Sequence, residues 1–199
     1  ALMIARTVRP DLDTGACCEA LDRMANRCRE LIIEPSSTRA KCRLINRVLY
    51  HEMGFHGNVE HYTDPRNSFI DQVLEHRRGI PISLCMIYLL VAQRLGLELE
   101  PIGLPGHFMI GCFLEERPFF IDAFDGGIFR SPDEILVFLR THDMSPDISE
   151  LVPTPVREVL CRSCRNLANH YEVNGDHGRA MLFDGFVTEF QAIYTRNVM

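Results

Sequence analysis

A thiol, an imidazole and a carboxylate follow one another in this sequence in an order that could carry out covalent chemistry. Cys85 lies in an apolar segment that is typical of a buried helix, and His107 and Asp122 lie in two later segments that are typical of strands. A thiolate attacks a carbonyl carbon, an imidazole within hydrogen-bond distance takes up the proton, and a third polar group orients the imidazole. These three side chains are therefore the candidate catalytic residues of a thiol-dependent enzyme.

The position of Cys85 is nevertheless unfavourable for a nucleophile. A reactive thiol is favoured at the N-terminus of a buried helix, where the helix dipole lowers its pKa. The helix is predicted to begin at Pro81, so Cys85 lies one turn inside it, among apolar side chains that raise the pKa of a thiol. We predict that Cys85 is buried in the core and does not contact His107. Ser83 is predicted to be a helix-start residue, and Cys112 a further core residue.

The pairing of His107 with Asp122 depends on the register of a predicted hairpin. The two strands are joined by a tight connection that begins at Glu115. If Leu114 pairs with Arg117, the imidazole and the carboxylate lie on one face of the sheet, within diagonal reach. A connection longer by one residue would place Asp122 on the opposite face.

The order of helical and extended patterns predicts an α+β fold in three parts. Residues 1–63 are predicted to form a helical N-terminal part, and residues 64–145 the core that carries the candidate site. Residues 146–199 have the spacing of a tetratricopeptide helical hairpin. A single repeat of that kind cannot bury its own apolar face, so it must pack on the preceding part or continue in a longer protein.

Local signals predict where individual elements begin and end. Residues 38–53 are predicted to form one helix, and Ser68 with Asp71 fits a capping box at the start of the next. The helix over residues 81–95 is apolar almost all round, which is typical of a helix that is buried on most sides. Residues 99–104 then read as the first strand of the sheet.

The composition is that of an ordinary globular protein. The chain has 199 residues, 46% of them apolar and 24% charged, and a net charge of −6. No run of Lys and Arg forms a basic patch, so we expect no nucleic-acid partner. No apolar run is long enough to span a bilayer, and the chain starts without the pattern of a signal peptide. We therefore expect no membrane partner; the sequence leaves the oligomeric state open.

The 8 cysteines are scattered through apolar helical patterns. Without a secretory context such residues are predicted to be reduced and to belong to the core, as in a cytoplasmic protein. The one C-x-x-C pair, Cys161 and Cys164, lies on a predicted helix with only His170 nearby as a further ligand. A structural zinc site needs four ligands, so we assign the pair to the core and expect no metal and no cofactor.

Five segments of the chain resemble the SirB-type transglutaminase-like family. They are Asp64-Pro65-Arg66-Asn67-Ser68, Arg78-Gly79-Ile80-Pro81-Ile82-Ser83, Leu95-Gly96-Leu97, Pro105-Gly106-His107-Phe108 and Ile121-Asp122-Ala123-Phe124-Asp125-Gly126-Gly127. The resemblance covers nearly the whole chain. It implies a transglutaminase-like (papain-like) core joined to a helical N-terminal part and a tetratricopeptide-like C-terminal part. That family is mainly bacterial, with relatives fused to F-box proteins in animals.

The same resemblance implies that the nucleophile is missing. Transglutaminase-like enzymes typically have Gly-x-Cys at the start of the buried helix and Leu-Gly at its end. Counting back from Leu95-Gly96 aligns Gly79-Ile80-Pro81 with that Gly-x-Cys, and His107 and Asp122 match the other two positions. Pro81 therefore occupies the nucleophile position, and proline has no nucleophilic group.

We interpret the chain as a non-catalytic regulatory or protein-binding module that keeps the enzyme cleft as a docking site for a protein or peptide partner. The first alternative is a divergent thiol hydrolase or acyltransferase, in which Cys85 attacks an amide carbonyl, His107 acts as base and Asp122 orients the imidazole. The second is a scaffold whose function lies in the C-terminal helices. An enzyme needs a solvent-reachable thiol near His107, a binding module needs an open groove, and a scaffold would leave the cleft filled.

Overall fold

A computed structural model describes residues 1–141 and 151–198 of the chain. Helices dominate and the strands form two small sheets, so the predicted α+β class is confirmed. The elements are α1 (Leu2–Arg6), α2 (Thr14–Leu31), α3 (Thr38–Asn46), β1 (His56–Gly57), α4 (Ile70–His76), β2 (Arg78–Gly79), α5 (Pro81–Arg94), β3 (Glu100–Leu104), β4 (His107–Cys112), β5 (Phe119–Asp122), β6 (Ile128–Arg130), α6 (Pro132–Thr141), α7 (Val156–Val173) and α8 (His177–Val198). No helix in this part of the chain is long and apolar enough to cross a membrane.

Strands β3 to β6 form an antiparallel sheet in chain order. In the β4–β5 ladder Ile110 pairs with Ile121. The position numbers of paired residues have a constant sum along an antiparallel ladder, and this pair belongs to the same register as Leu114 opposite Arg117. The predicted register is therefore confirmed, and the two candidate residues of the hairpin share a face of the sheet.

Helix α5 is enclosed on nearly every side because almost all of its residues are apolar. Pro81 is its first residue, where a missing N–H costs little since that group has no partner within the helix. The Ser83 hydroxyl accepts a hydrogen bond from the N–H of Ile80 and donates one to the carbonyl oxygen of Asn67, which confirms Ser83 as a helix-start residue. Gly96 follows the helix with a φ of +70°, a conformation that favours glycine.

Three apolar clusters hold these elements together. The main core lies between the N-terminal helices, α5 and one face of the sheet, and it joins Leu21 and Ile45 to Ile87, Phe108 and Ile110. A second cluster covers the opposite face of the sheet and contains Ile102, Leu104, Met109, Phe120, Ile135, Leu139 and Leu151. The third joins α1 to α7 and α8, where the rings of Tyr171 and Phe183 stack with their centroids 5.7 Å apart.

The main core contains residues from both sides of position 63. The helices before that position and the sheet after it therefore bury their apolar faces against each other. The other predicted boundary, between residues 145 and 146, lies outside the described residues. The division into three parts stays a prediction.

Several local features differ from the sequence prediction. The helix predicted over residues 38–53 is α-helical only as far as Asn46 and continues as a π-helical segment, Arg47–Glu52. The capping box of Ser68 is wrong, because Phe69 precedes α4 and makes no side-chain cap, and the Ser68 hydroxyl lies 3.4 Å from Nδ1 of His170 instead. The Ser68 hydroxyl therefore contacts a buried imidazole on α7 instead of capping a helix.

Candidate functional site

The predicted His–Asp pair forms at the end of the sheet where β4 begins and β5 ends. The Nε2 atom of His107 lies 2.9 Å from Oδ2 of Asp122. The other carboxylate oxygen of Asp122, Oδ1, accepts hydrogen bonds from the backbone N–H groups of Phe124 and Asp125. The register explains the contact, because it places His107 two residues from Met109, the position opposite Asp122, on the same face.

The Asp122 carboxylate determines which nitrogen of His107 carries the proton. A carboxylate only accepts hydrogen bonds, so Nε2 donates, and Nδ1 of the neutral imidazole is left as an acceptor. Among the described residues, Nδ1 makes no hydrogen bond. The His107 side chain is only 10% exposed, and its ring packs near Phe124 and Phe138. A nearly buried imidazole thus keeps one acceptor without a protein partner in this part of the chain.

Helix α7 holds the turn that presents His107. Nη2 of Arg162 donates to the carbonyl oxygens of Leu104 and His107, at 2.6 and 3.0 Å. The guanidinium also lies over the Phe108 ring, 5.2 Å from its centroid. A Cβ at Gly103 would lie 2.4 Å from Nη1 of Arg162, so the absence of a side chain at this position leaves room for the guanidinium. Two charge-assisted hydrogen bonds therefore connect the turn to the C-terminal helices.

Asn67 fixes the loop that precedes α4. Its amide group donates to the carbonyl oxygens of His61 and Tyr62, and its Oδ1 accepts a hydrogen bond from the side chain of Asn58. Asn67 is 3% exposed, so these bonds form in the interior, where unpaired polar groups are costly. The loop over residues 58–62 is consequently held next to the start of α5.

Cys85 is not part of this cluster. It is fully buried, and its thiol donates to the carbonyl oxygen of Phe108 at 3.4 Å. Side chains alternate along β4, so Phe108 packs in the core with α5 while His107 lies on the opposite face. Burial raises the pKa of the Cys85 thiol well above its ordinary value, and the Asp122 carboxylate raises it further. The predicted burial of Cys85 is confirmed, and no hydrogen bond joins it to His107.

Pro81, His107 and Asp122 all line one cleft with a volume of about 1120 Å³. Side chains from the loop over residues 58–62 and from α6 complete its lining. The structure thus brings together the helix start, the imidazole and the carboxylate, and it leaves the Cys85 thiol out. With proline at the helix start, the described lining of the cleft contains an imidazole and a carboxylate but no thiol.

The sequence prediction missed the residues that hold the site in place. Asn67 lies in the first of the five segments that resemble the SirB-type family, and this position is the sequence signal that points to it. Arg162 gave no signal, because the carbonyl groups it contacts lie 58 and 55 residues away along the chain. Cys161 and Cys164 are buried as predicted. Among the residues described, no group of three His, Cys, Asp or Glu side chains could hold a metal ion.

A buried helix that begins beside a His–Asp pair on neighbouring antiparallel strands is the arrangement expected of a transglutaminase-like protein. The sequence profile of the Transglutaminase-like superfamily matches residues 15–165, and the chain belongs to this superfamily.

Bacterial UPF0162 proteins and an animal F-box protein are similar to the chain in sequence. A UPF0162 protein of Xylella fastidiosa is 36% identical over 177 residues, which cover 86% of this chain and 63% of the relative. A UPF0162 protein of Vibrio cholerae is 33% identical over 129 residues, or 64% of this chain and 48% of the relative. F-box only protein 21 of Mus musculus is 42% identical over 81 residues, or 41% of this chain and 13% of that protein.

The chain spans less than two thirds of the length of these curated relatives. No solved structure matches it.

Proposed function

We propose that the chain is a non-catalytic, SirB-type member of the superfamily, which binds a segment of a partner protein in the cleft beside His107. The observation that carries the proposal is Pro81, which occupies the start of α5 in the cleft that also contains His107 and Asp122. No protonation change gives proline a nucleophilic atom. A papain-like core, a tetratricopeptide-like hairpin formed by α7 and α8, and a cytoplasmic location belong to the same proposal. All 8 cysteines are free, which supports a reducing compartment.

The alternative, a thiol hydrolase or acyltransferase that uses Cys85, would require a rearrangement of the core. Cys85 lies against the face of the sheet that packs on α5, whereas His107 and Asp122 lie on the other face. Its thiol is bonded to a backbone carbonyl and its pKa is raised, so the thiolate is disfavoured. Both observations support a binding module over an enzyme.

The apolar lining of the cleft supports a binding role. Val59, Tyr62 and Val137 line it and are 75%, 40% and 56% exposed. Large apolar side chains that are exposed together around a concave surface typically mark an interaction site. The volume of about 1120 Å³ lies above the range of roughly 300–1,000 Å³ that is common for small-molecule pockets. A peptide segment would use more of this space than a metabolite.

A displayed library of random peptides tests the proposal. Selected peptides should bind the wild-type protein, and Val137→Ser should weaken them at least about fivefold, because losing one buried valine side chain costs about 1 kcal/mol or more. Val156→Ser is the matched control, since Val156 is an exposed valine at the start of α7, outside the cleft lining. Equal effects of both variants would contradict a docking site in the cleft. Conversion of a bound peptide that is lost in Cys85→Ala would establish the enzyme instead.

A further inference from the structure

We infer that the cleft takes an extended peptide in which an apolar side chain is flanked by Lys or Arg. This inference rests on the proposed binding function and specifies the chemistry of the partner. It follows from the charges around the cleft, from the hydrogen-bonding capacity of the His107 imidazole, and from the exposed apolar lining. Each of these observations involves different atoms.

The charged groups that line the cleft are mostly acidic. Among the described residues, the lining contains Asp122, Asp125, Asp133 and Glu134 but only one arginine, Arg130. His107 binds Asp122, and Arg130 pairs with Asp125 at 2.8 Å. Asp133 and Glu134, in the first turn of α6, have no ion pair among the described residues. Neither carboxylate therefore has a salt-bridge partner in this part of the chain, although Arg130 lies close enough to Glu134 to help lower its pKa.

Glu134 is held in its charged form. Its Oε2 accepts a hydrogen bond from the backbone N–H of Ser131 at 2.7 Å, and this bond lowers the pKa of the carboxyl group. A carboxylate near the N-terminus of α6 is also favoured by the helix dipole. A positively charged side chain entering the cleft therefore meets an ionised partner at neutral pH.

A polar atom of the cleft lining, Nδ1 of His107, is also an acceptor. The His107 side chain is nine-tenths buried, lines the cleft, and has no partner at Nδ1 among the described residues. In the tautomer whose Nε2–H donates a hydrogen bond to Asp122, Nδ1 can accept one from an N–H or ammonium group of a ligand. A phosphate or carboxylate at the same place would meet a lone pair and nearby carboxylates. The cleft therefore favours donors and cations over anions.

The apolar lining determines what must accompany the cation. Val59 and Tyr62 come from the loop that Asn67 fixes, and Val137 comes from α6. An apolar group of a ligand that covers these side chains stabilises the complex by about 25 cal/mol for each Å² of apolar surface removed from water. A partner that brought only charge would leave them exposed. The occupant that fits both features is a short apolar segment with basic flanks.

The test uses tryptophan fluorescence, because the chain contains no tryptophan. Three capped peptides share one Trp-Leu centre and differ only in their flanks, which are Lys, Gln or Glu. Binding moves the Trp emission to shorter wavelength, and titration gives the dissociation constant of each peptide. We expect the Lys-flanked peptide to bind at least about tenfold more tightly than the Gln-flanked one, and its advantage to fall with added salt.

Charge-neutralising variants locate the effect. Asp133→Asn combined with Glu134→Gln should reduce the Lys-flanked peptide to the affinity of the Gln-flanked one. Asp184→Asn combined with Glu189→Gln removes the same charge from exposed positions on α8 and should change nothing.

Two outcomes overturn the inference and separate it from the proposed function. If the Glu-flanked peptide binds as tightly as the Lys-flanked one, or if Asp133→Asn with Glu134→Gln has no effect, the cleft does not select cations. Binding that still weakens in Val137→Ser would then leave the docking function in place. If no peptide binds and a display selection also yields none, the docking function itself fails, and the inference fails with it.

Discussion

Pro81 begins α5 in the cleft that contains His107, whose Nδ1 atom has no hydrogen bond within the described part of the chain. At the residue scale, the assignment of Pro81 to the nucleophile position can therefore be tested by placing a thiol at this residue. We expect Pro81→Cys, combined with Cys85→Ala, to give a thiol with a pKa below the ordinary value of about 8.5. The helix dipole and a protonated imidazole both favour the thiolate. The rate of alkylation by iodoacetamide as a function of pH, followed by mass spectrometry of the modified peptide, measures this pKa.

Adding His107→Ala to Pro81→Cys provides the control. The pKa should then rise, because the imidazolium no longer stabilises the thiolate. A thiol that titrates like a free cysteine, or that reacts equally fast with and without His107, would show that Pro81 does not occupy the nucleophile position. Enzymatic activity need not return, since catalysis of acyl transfer also requires donors for the oxyanion.

The native thiol of Cys85 should resist the same reagent. We expect it to be alkylated at least about a hundredfold more slowly than the exposed Cys18, because access requires a local opening that costs roughly 3 kcal/mol or more. Quantitative mass spectrometry of the two peptides over time gives the ratio. Fast modification of Cys85 that disappears in His107→Ala would revive the thiol-enzyme alternative.

At the scale of elements, Arg162 links α7 to the turn between β3 and β4. We expect Arg162→Ala to lower the free energy of unfolding by about 2–3 kcal/mol, because two backbone carbonyl groups lose a charged donor. Amide hydrogen exchange should also increase over residues 104–107. Urea denaturation and exchange measured by mass spectrometry report the two effects.

Arg165→Ala is the matched control on the same helix. Its guanidinium pairs with Glu158 at the surface, and exposed ion pairs contribute about 0–1 kcal/mol. We expect little loss of stability and no faster exchange at the turn. Equal effects of the two variants would mean that the hydrogen bonds to the turn contribute no more than a surface ion pair.

The β4–β5 hairpin was predictable because the residues that determine its register lie close together in the sequence. A short connection after Leu114 and alternating apolar residues specify a register, and that register sets the relation of His107 to Asp122. Strands β1 and β2 were not predictable, since two residues show no periodicity. They form because the N–H groups of His56 and Asn58 donate hydrogen bonds to the carbonyl oxygens of Arg77 and Gly79, which lie in a later segment of the chain.

At the scale of the whole molecule, His170 connects the C-terminal helices to the cleft loop. It is 2% exposed, contacts Ser68 through Nδ1, and packs edge-on against Tyr62 with the ring centroids 6.0 Å apart. Burial lowers the pKa of this imidazole from its ordinary value of 6.5. Protonation of His170 is therefore easier in the unfolded chain than in the folded one.

This shift predicts how stability depends on pH. The contribution of His170 is fully present above pH 6.5 and is lost as the pH falls from there toward the lower folded pKa, because the unfolded state binds the proton first. The loss is at most about 1.4 kcal/mol for each pH unit from one group. Urea denaturation across this window should show a weaker pH dependence for His170→Gln than for the wild type.

His177 provides a comparison within the same chain, because its pKa is shifted in the opposite direction. Glu172 raises the pKa of the exposed His177, so its contribution is present at low pH and is lost as the pH rises through the folded pKa. His177→Gln should therefore leave the acid-side loss of stability in place. Identical pH profiles for the wild type and His170→Gln would contradict the assignment.

The assembly of the molecule was less predictable than its parts. Helix and strand periodicities indicate which face of an element is apolar, but they do not indicate which apolar faces meet. The cleft is lined by Tyr62, Pro81, His107, Asp122 and Val137, which come from five separate stretches of the chain. Pro81, His107 and Asp122 carried motif or helix signals, while nothing in the sequence indicated that Tyr62 and Val137 line the cleft.

The two hydrogen bonds between Arg162 and the β3–β4 turn couple ligand binding in the cleft to the docking of the C-terminal helices. If a ligand binds more tightly when this turn is ordered, its binding free energy also depends on whether α7 is docked on the turn. Linkage is reciprocal, so a ligand in the cleft must strengthen that docking by the same factor by which docking strengthens the ligand. A molecule that drew Arg162 away from the two carbonyl groups would consequently loosen a ligand that it never touches.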